Sequence, residues 1–479
     1  MSEKTFPFLR FHRELPREVP VQVRVLGFGE IHGGFADGDA ADQAARCIDC
    51  GNPYCSWGCP LGNRIPQWLK LARDGRIEDA AALMHETNPL PEICGRVCPQ
   101  DRLCEGVCTL ESEDFGAVTI GAVERWVTDE ALRRGWRPHA AAEASGQRAA
   151  IVGAGPAGLA AADRLIRAGV AVDVYDRYEE IGGLLTFGIP PFKLDKAVVL
   201  TRRRVLEEFG VKFHLGVEVG AGIAFERLLA GYGAVFLGTG AYRYVDGGLP
   251  GQALPGVLPA LPYLVANARR LLGSGAADAL PDLAGRRVVV LGGGDTAMDC
   301  NRTSIRLGAA QVSCVYRRDE ANMPGSRREV KYAKDEGVRF LFNRQPLAIL
   351  AGEDGRVRAV RVAETRLVDD GSGRARPELV PDSEAEIPAD VVILAFGFLP
   401  SPADWCATAG IALDASGRMV TGGDGRLPGQ TTNPKVFAGG DVVRGADLVV
   451  RAVLDGREAA KSMLALLGVT APAPSEVSF

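Results

Sequence analysis

Hydrophobic and polar positions divide the chain into two parts with different periodicities. Between Ile65 and Thr87 apolar residues recur every three or four positions, which predicts amphipathic helix. We expect residues 1 to about 135 to form one mainly helical region. A polar, alanine-rich stretch at 137–147 predicts a linker after it.

From Arg148 onward, short apolar runs bounded by glycines replace the helical pattern. AAIVGAGPAGLAAADRLIRAGVAVDVYDR predicts strand, glycine turn, helix and strand, and a second unit of this kind opens at Arg286. Short strands follow it, ending in DVVILAFGFLP at 390–400. NPKVFAGGD and the residues after it predict a strand, a glycine turn and a long amphipathic helix. Two βαβ units indicate an α/β protein with two dinucleotide-binding domains.

The first glycine loop has the GxGxxG form. Gly153 permits the tight turn, Gly155 lets the backbone approach a pyrophosphate, and Gly158 lets the helix pack on the strand. Asp176 ends the next strand, where a carboxylate can hold ribose hydroxyls. Strand, loop, helix and acid together favour a dinucleotide site over a merely tight turn.

The second loop, Gly292 to Ala297, has the GxGxxA variant, and its second strand ends in Arg317 and Arg318 instead of an acid. Guanidinium groups pair with a 2′-phosphate that an acid would repel, which favours NADP over NAD. A solvated surface pair is the alternative for these arginines.

A third glycine element, residues 438–441, precedes the last helix. Two dinucleotide sites and this returning segment indicate a flavoprotein with two nucleotides, FAD at the first loop and the nicotinamide donor at the second. Asp441 would then accept hydrogen bonds from the flavin nucleotide, with an ordinary helix N-cap as the alternative.

Eight of the 11 cysteines lie in two groups near the N-terminus: Cys47, Cys50, Cys55 and Cys59, then Cys94, Cys98, Cys104 and Cys108. Eight thiolates suit two [4Fe-4S] clusters, and a proline directly after Cys59 and Cys98 is typical of ferredoxin ligand runs. Structural zinc is the alternative. A neighbouring flavin favours iron–sulfur, because it can pass the two electrons of a hydride on one at a time.

Composition and charge fit a globular protein without nucleic acid or membrane as partner. Hydrophobic residues make up 47% and charged residues 24%, and the net charge is −5. No apolar run approaches the roughly 18 residues of a membrane span. The first residues, MSEKTFPFLRFHRELPREVP, carry charges and prolines where a signal peptide is apolar. We expect a cytoplasmic protein.

Motifs along nearly the whole chain resemble those of the small (β) subunits of bacterial NADPH-dependent glutamate synthases: CIDCGNPYCSWGCP, CGRVCPQDRLCEGVC, GAGPAGLAAADRL, EIGGLLTFGIPPFKLDK, GGGDTAMDC, VYRRDEANMPGSRREV and VFAGGDVVRGADLVVRAV. A similar module occurs in dihydropyrimidine dehydrogenase. The resemblance implies a mainly helical iron–sulfur domain at 1–145, and a glutathione-reductase-like FAD domain at 146–282 and 401–479. The NADPH domain at 283–400 is inserted between the two parts of the FAD domain.

The resemblance also implies the nucleotide-binding residues. For FAD they are Gly153, Gly155, Pro156, Ala157, Gly158, Asp176, Gly182, Gly183, Leu184, Lys193 near the phosphates, Gly440, and Asp441 at the flavin end. For NADPH they are Gly292, Gly294, Asp295, Thr296, Ala297, Arg317 and Arg318 on the 2′-phosphate, and Ala395, Phe396 and Gly397 on the nicotinamide side.

For the clusters, the resemblance to the dehydrogenase implies one ligand set of Cys47, Cys50, Cys55 and Cys108, and a second of Cys59, Cys98 and Cys104. The fourth ligand of the second set stays open. Cys94 is the simpler candidate by chemistry. Glu124 is the candidate by alignment, at a position where the dehydrogenase has glutamine.

The implied reaction is hydride transfer from NADPH to FAD, followed by passage of single electrons through the clusters to a large (α) subunit. That subunit makes L-glutamate from L-glutamine and 2-oxoglutarate. Hydride transfer needs no acid or base, so no catalytic residue is predicted. One alternative keeps the cofactors but serves another complex, of the ferredoxin–NADP transhydrogenase or pyrimidine-reducing type. Another is a non-catalytic interaction subunit held by zinc.

Overall fold

The computed structural model of the chain describes residues 7–138, 142–274, 280–368 and 376–471. The first region is helical, as predicted, and the stretch from Ile65 to Thr87 forms two helices separated by a turn at 74–76. Its helices are α1 (Pro7–Arg10), α2 (Val21–Arg24), α3 (Asp37–Ala45), α4 (Tyr54–Gly58), α5 (Ile65–Arg73), α6 (Ile77–Thr87), α7 (Pro91–Val97), α8 (Thr109–Ser112) and α9 (Ile120–Arg133), with a 3-10 turn at Gln100–Arg102.

The rest of the chain alternates strands and helices. The strands are β1 (Arg148–Val152), β2 (Ala171–Asp176), β3 (Lys212–Leu215), β4 (Ala234–Leu237), β5 (Arg243–Tyr244), β6 (Val257–Pro259), β7 (Arg287–Leu291), β8 (Gln311–Val315), β9 (Arg339–Leu341), β10 (Arg344–Ala351), β11 (Val357–Val368), β12 (Arg376–Leu379), β13 (Ala385–Pro388), β14 (Val391–Leu394), β15 (Phe398–Leu399) and β16 (Val436–Ala438). The helices are α10 (Pro156–Arg167), α11 (Leu184–Phe187), α12 (Lys196–Glu208), α13 (Phe225–Gly231), α14 (Ala260–Leu272), α15 (Asp295–Arg306), α16 (Arg327–Asp335), α17 (Trp405–Thr408), α18 (Asp441–Arg444) and α19 (Val449–Leu467).

The helical region has its own apolar core. One face of α5 supplies Trp68 and Leu69, and one face of α9 supplies Val123 and Val127, spaced so that each helix buries a single stripe. Cys55 belongs to this core as well. The first cysteine group therefore lies on a packed helical scaffold.

The first parallel sheet has the strand order β16-β4-β1-β2-β3. Its central strand β1 pairs with β2 on one side and β4 on the other, so the strand order reverses beside β1. In open parallel sheets a ligand cleft forms where the order reverses, at the carboxyl ends of the strands. The C-terminal strand β16 returns to pair with β4, as the sequence predicted for this segment.

The second parallel sheet repeats this arrangement with the order β6-β14-β7-β8-β9. A further sheet of β10 to β13 pairs antiparallel, and residues of β10 and β11 share an apolar cluster with Leu291 and Val315 at the ends of β7 and β8. Both predicted glycine loops thus follow the central strand of a parallel sheet.

The chain passes between the two sheets at a two-stranded ribbon in which Tyr244 of β5 faces Phe398 of β15. Strand β6, at residues 257–259, and α14 come after the first crossing and belong to the second sheet's domain. We propose that the inserted domain spans residues 245–397, where the sequence analysis expected 283–400.

The helical domain packs on the first sheet's domain through apolar and polar contacts. Cys94 and Cys98 lie in one continuous apolar cluster with Ala157 of α10 and Val453 of α19. Arg457 of α19 donates hydrogen bonds to the carbonyl oxygens of Leu61 and Thr87, at 3.0 and 2.7 Å. Within the described ranges, no helix has the length and apolar character needed to cross a bilayer.

Candidate functional site

A cavity of about 570 Å³ lies where the three domains meet. Its lining includes the first glycine loop, the start of α15 and the turn before α18, together with Val97 and Pro99 on either side of Cys98. One space therefore touches both glycine loops and a segment that carries a cysteine of the second group. Ten residues predicted for the first nucleotide line it: Gly153, Gly155, Pro156, Ala157, Asp176, Gly183, Leu184, Lys193, Gly440 and Asp441.

The first glycine loop is built for close approach. Gly153 has φ of +104°, and a Cβ there would collide with the carbonyl oxygen of Gly238 at the end of β4. A Cβ at Gly158 would meet the carbonyl oxygen of Gly153, so the start of α10 lies directly on the loop. The N-terminal end of α10 consequently faces the cavity, in the position of an anion-binding helix terminus.

Asp176 braces this loop from the end of β2. Its Oδ2 accepts a hydrogen bond from the backbone N–H of Ala154 at 2.6 Å, and its Oδ1 accepts one from Tyr178 at 2.8 Å. Burial raises the pKa of this carboxyl above its usual value, against the opposing effect of the two N–H groups. The carboxylate is thus fixed in place at the cavity wall.

The two remaining flavin-side segments close the cavity from opposite sides. The N–H of Gly182 donates to the carbonyl oxygen of Ala154 at 2.8 Å, which ties the 182–184 turn to the first loop. Asp441 is the first residue of α18 and Gly440 occupies the N-cap position, so the structure does not place Asp441 at the N-cap. Burial raises the pKa of Asp441 to about 7.

Lys193 lines the cavity, but its ammonium group is paired within the protein. Nζ lies 2.9 Å from Oδ1 of Asp299 and 3.6 Å from Oε2 of Glu329, both in the inserted domain. Burial lowers the pKa of this lysine, yet the two carboxylates outweigh burial and the net pKa is raised. Its predicted approach to the flavin nucleotide's phosphates stays a prediction.

The second glycine loop follows β7 and leads into α15. A Cβ at Gly292 would collide with the carbonyl oxygen of Ala395 at the end of β14, so the loop passes against the 395–397 segment. Asp295 and Thr296 line the cavity. The other residues predicted for this nucleotide lie around the carboxyl edge of the second sheet and outside the cavity lining: Gly292, Gly294, Ala297, Arg317, Arg318, Ala395, Phe396 and Gly397.

Arg317 and Arg318 follow β8, at the edge where the second loop lies. Their backbone carbonyl oxygens are held by Thr365 Oγ1 at 2.8 Å and by the N–H of Asn343 at 3.0 Å. Arg317 is exposed and Arg318 half-buried. Across the described part of the chain, neither guanidinium forms an ion pair within 4 Å with a carboxylate, so both can meet an anionic ligand.

The first set of thiols brings together residues from both sequence groups. Cys47, Cys50, Cys55 and Cys108 line one small cavity near the surface of the helical domain. Burial raises the pKa of Cys47 to about 11 and that of Cys55 to about 12, and the neighbouring thiols add to the rise. This is the grouping that the resemblance implied for one cluster.

The second set lies deeper, between α7, α9 and the first sheet's domain. Burial raises the pKa of Cys59 to about 11 and that of Cys104 well above its usual value, and Glu124 raises both further. Hydrogen bonding to Cys94, followed by burial, raises the pKa of Cys98. Both candidates for the fourth ligand, Cys94 and Glu124, therefore belong to this set.

Glu124 is fixed by two asparagines. Its Oε1 accepts hydrogen bonds from Nδ2 of Asn63 at 3.3 Å and from Nδ2 of Asn88 at 3.1 Å. Burial raises the pKa of Glu124 to about 8, and the Asn88 bond opposes this. Within the described ranges, no group of three or more His, Cys, Asp or Glu side chains has the geometry to hold a single metal ion.

Several cavity residues were not singled out from the sequence. Thr239 and Gly240 follow β4, and the run AVFLGTG, a strand ending in glycines, was a signal for them. Trp405, by contrast, has no local motif, and the 447–449 segment lies within the quoted motif VFAGGDVVRGADLVVRAV without having been singled out. Arg102 and Arg328 also line the cavity, and only the packing of three domains brings them there.

Comparison with known families agrees with this architecture. The profile of dihydropyrimidine dehydrogenase domain II, 4Fe-4S cluster, matches residues 24–136. The profile of the pyridine nucleotide-disulphide oxidoreductases matches residues 147–456. These two matches cover the helical domain and both parallel sheets.

Curated relatives are similar over nearly the full length. The glutamate synthase [NADPH] small chain of Halomonas elongata is 58% identical over 468 residues, covering 97% of this chain and 98% of the relative. That of Escherichia coli is 53% identical over 475 residues, covering 98% and 100%. A putative oxidoreductase of Escherichia coli is 52% identical over 462 residues, covering 95% of this chain and 70% of the relative.

Proposed function

This chain belongs to the family of the NADPH-dependent glutamate synthase small chains, and from that premise we propose that it is the reducing subunit of a glutamate synthase. It takes reducing equivalents from NADPH and delivers them as single electrons to a large chain, which makes L-glutamate from L-glutamine and 2-oxoglutarate. The observation that carries the proposal is the shared cavity, which brings both glycine loops and the segment around Cys98 to one space.

FAD fits the first glycine loop. The loop leaves no room for a Cβ at Gly153 or Gly158, α10 presents its N-terminal end, and Asp176 stands fixed at the end of β2 for a ribose. Gly183, Gly440 and Asp441 would enclose the rest of the nucleotide. With a pKa of about 7, the buried Asp441 carboxyl can donate a hydrogen bond in part of the molecules at neutral pH.

NADPH fits the second loop. The start of α15 offers backbone N–H groups to the pyrophosphate, and Arg317 and Arg318, without carboxylate partners among the described residues, suit the 2′-phosphate. When bound, the flavin accepts a hydride from NADPH and iron–sulfur clusters carry its electrons onward one at a time. Of the residues proposed for NADPH, Asp295 and Thr296 line the cavity that also holds the first loop, so this end of the second site would adjoin the flavin nucleotide.

Two [4Fe-4S] clusters fit the two thiol sets. Burial raises the pKa of Cys47, Cys55, Cys59 and Cys104, so these thiols stay protonated unless a strongly cationic centre stabilises the thiolate, and a coordinating metal does this outright. The deep set adjoins the cavity through Val97 and Pro99, and the other set lies at the surface. This order suits electrons that enter from the cavity and leave at the surface of the helical domain.

We place Glu124 as the fourth ligand of the deep set. Its carboxylate lies close enough to Cys59, Cys98 and Cys104 to raise the pKa of all three, although the hydrogen bond with Cys94 is the larger influence on Cys98. Asn63 and Asn88 both bond to Oε1, an arrangement that leaves Oε2 available to a metal. Cys94 instead donates to Oδ1 of Asn88, at 3.6 Å, and would support the site from outside.

The large chain is proposed to dock over the surface thiol set. Four exposed apolar residues surround that set: Ile48, Tyr54, Trp57 and Val107, with exposed fractions of 44, 46, 65 and 43%. The rings of Tyr54 and Trp57 pack edge to face at 5.3 Å. Exposed tyrosine and tryptophan are typical anchors of protein interfaces, and an electron acceptor has to come close to the outer thiols.

Anaerobic purification of the chain with its bound partner tests the proposal. About eight iron and eight sulfide per chain, one flavin and a co-purifying large chain are expected. About two zinc and no iron would overturn the electron-transfer role. Full iron and flavin content together with an acceptor other than a glutamate synthase large chain would support the electron-transfer role but overturn the proposed partner. The similarity to the putative oxidoreductase of Escherichia coli is the reason to test for this outcome.

A further inference from the structure

The turn between Cys98 and Cys104 reaches from the helical domain to the inserted domain. Arg102 Nη1 donates a hydrogen bond to the carbonyl oxygen of Pro324 at 3.2 Å. Its Nη2 lies 3.9 Å from Oδ2 of Asp295, the first residue of α15. The start of α15 is the phosphate-binding end of the second glycine loop. A guanidinium from another domain therefore stands beside the proposed pyrophosphate position.

The same wall holds a hydroxyl without a partner. Ser326 is only 5% exposed, it lines the cavity, and its Oγ has no hydrogen-bond partner in the described structure. Its backbone N–H donates to Oδ1 of Asp295 at 2.9 Å, which fixes the serine against the start of α15. Buried hydroxyls are almost always paired, so this one indicates a ligand that supplies an acceptor.

A second arginine joins the wall from the other side. Arg328, at the start of α16, lines the cavity and donates through Nη1 to Oε1 of Gln100 at 3.3 Å. Gln100 is buried, and its Nε2 donates to the carbonyl oxygen of Gly95 at 3.1 Å. The contact thus connects the inserted domain to the cysteine-bearing turn and keeps two cationic groups at one end of the cavity.

We propose that Arg102, with Ser326 and Arg328, binds the pyrophosphate of the nicotinamide nucleotide, so that the iron–sulfur domain forms one wall of the nucleotide site. The inference rests on the proposed function, since it takes the second loop as the NADPH site. Asp295 alone would repel a diphosphate, and the guanidinium beside it offsets that charge. Arg317 and Arg318 lie beyond β8 and serve the 2′-phosphate, which only NADPH carries.

A charge series at position 102 tests this in the full chain. Dissociation constants for NADP⁺ and NAD⁺ are measured by equilibrium dialysis for the wild type and for Arg102→Lys, Arg102→Ala and Arg102→Glu. Affinity should fall in that order, about tenfold for the alanine variant. The factor should be the same for both nucleotides, because both carry the pyrophosphate. Arg317→Ala should weaken NADP⁺ alone.

Arg76→Ala is the matched control. Arg76 belongs to the same domain, is comparably exposed (38% against 45%) and also lies beside an aspartate, but it does not line the cavity. The Arg76→Ala variant should bind NADP⁺ and NAD⁺ with the same dissociation constants as the wild type. Unchanged constants for Arg102→Ala and Arg102→Glu, or a loss confined to NADP⁺, would overturn the inference. A wild-type chain that binds neither nucleotide would overturn the proposed function instead.

Discussion

Asp176 and Asp441 both face the large cavity, but their carboxyl groups are held differently. Both oxygens of Asp176 accept backbone N–H groups, which fixes it as an acceptor. Asp441 accepts one hydrogen bond from the backbone N–H of Asp447, and burial raises its pKa to about 7. Two aspartates at the same cavity therefore differ in their hydrogen-bond partners, and those partners depend on where the backbone places each residue.

At the residue scale, the identity of the fourth ligand can be tested by iron content. Glu124→Ala should lose about half of the chain's iron and sulfide, because the deep set keeps only three ligands. Cys94→Ser, which removes a supporting thiol, should keep nearly all of it. Iron and acid-labile sulfide per chain are measured after anaerobic purification. The opposite pattern, with Cys94→Ser losing half and Glu124→Ala intact, would assign the ligand to Cys94.

The spacing of the cysteines was enough to predict that they act together, but it could not assign the fourth ligand. Cys94 lies in the second cysteine motif, whereas Glu124 reaches the deep set only because α9 packs against α7. The two helices approach closely at positions about 30 residues apart, since a Cβ at Gly95 of α7 would collide with the backbone of Gly121 and Arg125 in α9. No local pattern in the sequence marks such a contact.

At the element scale, the 188–196 segment joins the flavin domain to the inserted domain. Phe192 is fully buried between the guanidinium groups of Arg302 and Arg306, whose carbon atoms lie 4.4 and 4.1 Å from its ring centre. Lys193 follows it and pairs with Asp299 and Glu329. A single turn of chain therefore places one aromatic ring and one cation in the neighbouring domain.

Removing that cation should cost stability in a pH-dependent way. Lys193→Met leaves the carboxyls of Asp299 and Glu329 buried without their shared cation, a change of about 3 to 5 kcal/mol. Burial already raises the pKa of Asp299 to about 6, and the loss of Lys193 raises it further. Since a raised carboxyl pKa costs stability as pH rises above the unfolded value of about 4, the loss should be larger at pH 8 than at pH 5.

Urea denaturation followed by circular dichroism measures this difference. Lys331→Met is the control, because its pair with Asp335 is largely exposed (67 and 34%) and contributes little. An equal loss of stability at pH 5 and pH 8 would show that the buried carboxyls are not the cause.

Most elements agreed with the sequence pattern where an apolar run met a glycine. Strands β1, β2, β7 and β8 and the helices between them are where the two βαβ units placed them. The C-terminal segment differs, since a short α18 and a break precede the long helix. Gly445, with φ of +84°, ends α18, and the chain resumes as α19 only at Val449. Strand β6 was missed because its three residues carry no period of their own.

At the scale of the whole molecule, three domains surround one cavity and the outer thiols lie away from it, under an apolar surface. Trp57 and Tyr54 cover that surface. The fold class and the order of the domains could be predicted from motifs. The shared cavity could not, because it depends on how the domains pack.

Trp57→Ala should weaken binding of the large chain by tenfold or more, since exposed tryptophans often carry about 2 kcal/mol or more of interface energy. Iron content and the rate of ferricyanide reduction by NADPH should stay unchanged. Binding is measured by analytical ultracentrifugation or surface plasmon resonance. Leu379→Ala, an exposed apolar residue of the inserted domain at 52%, is the control. Unchanged affinity for the Trp57 variant would place the docking surface elsewhere.

The ribbon of β5 and β15 has a consequence for protein engineering. Tyr244 and Phe398 face each other across it, so the two ends of the inserted domain lie about 5 Å apart. A two-residue turn could join these two ends and replace the inserted domain without cutting any strand of the first parallel sheet. Homologous domains with other nucleotide preferences should therefore be exchangeable at the same two points if they keep the contacts to Phe192 and Lys193.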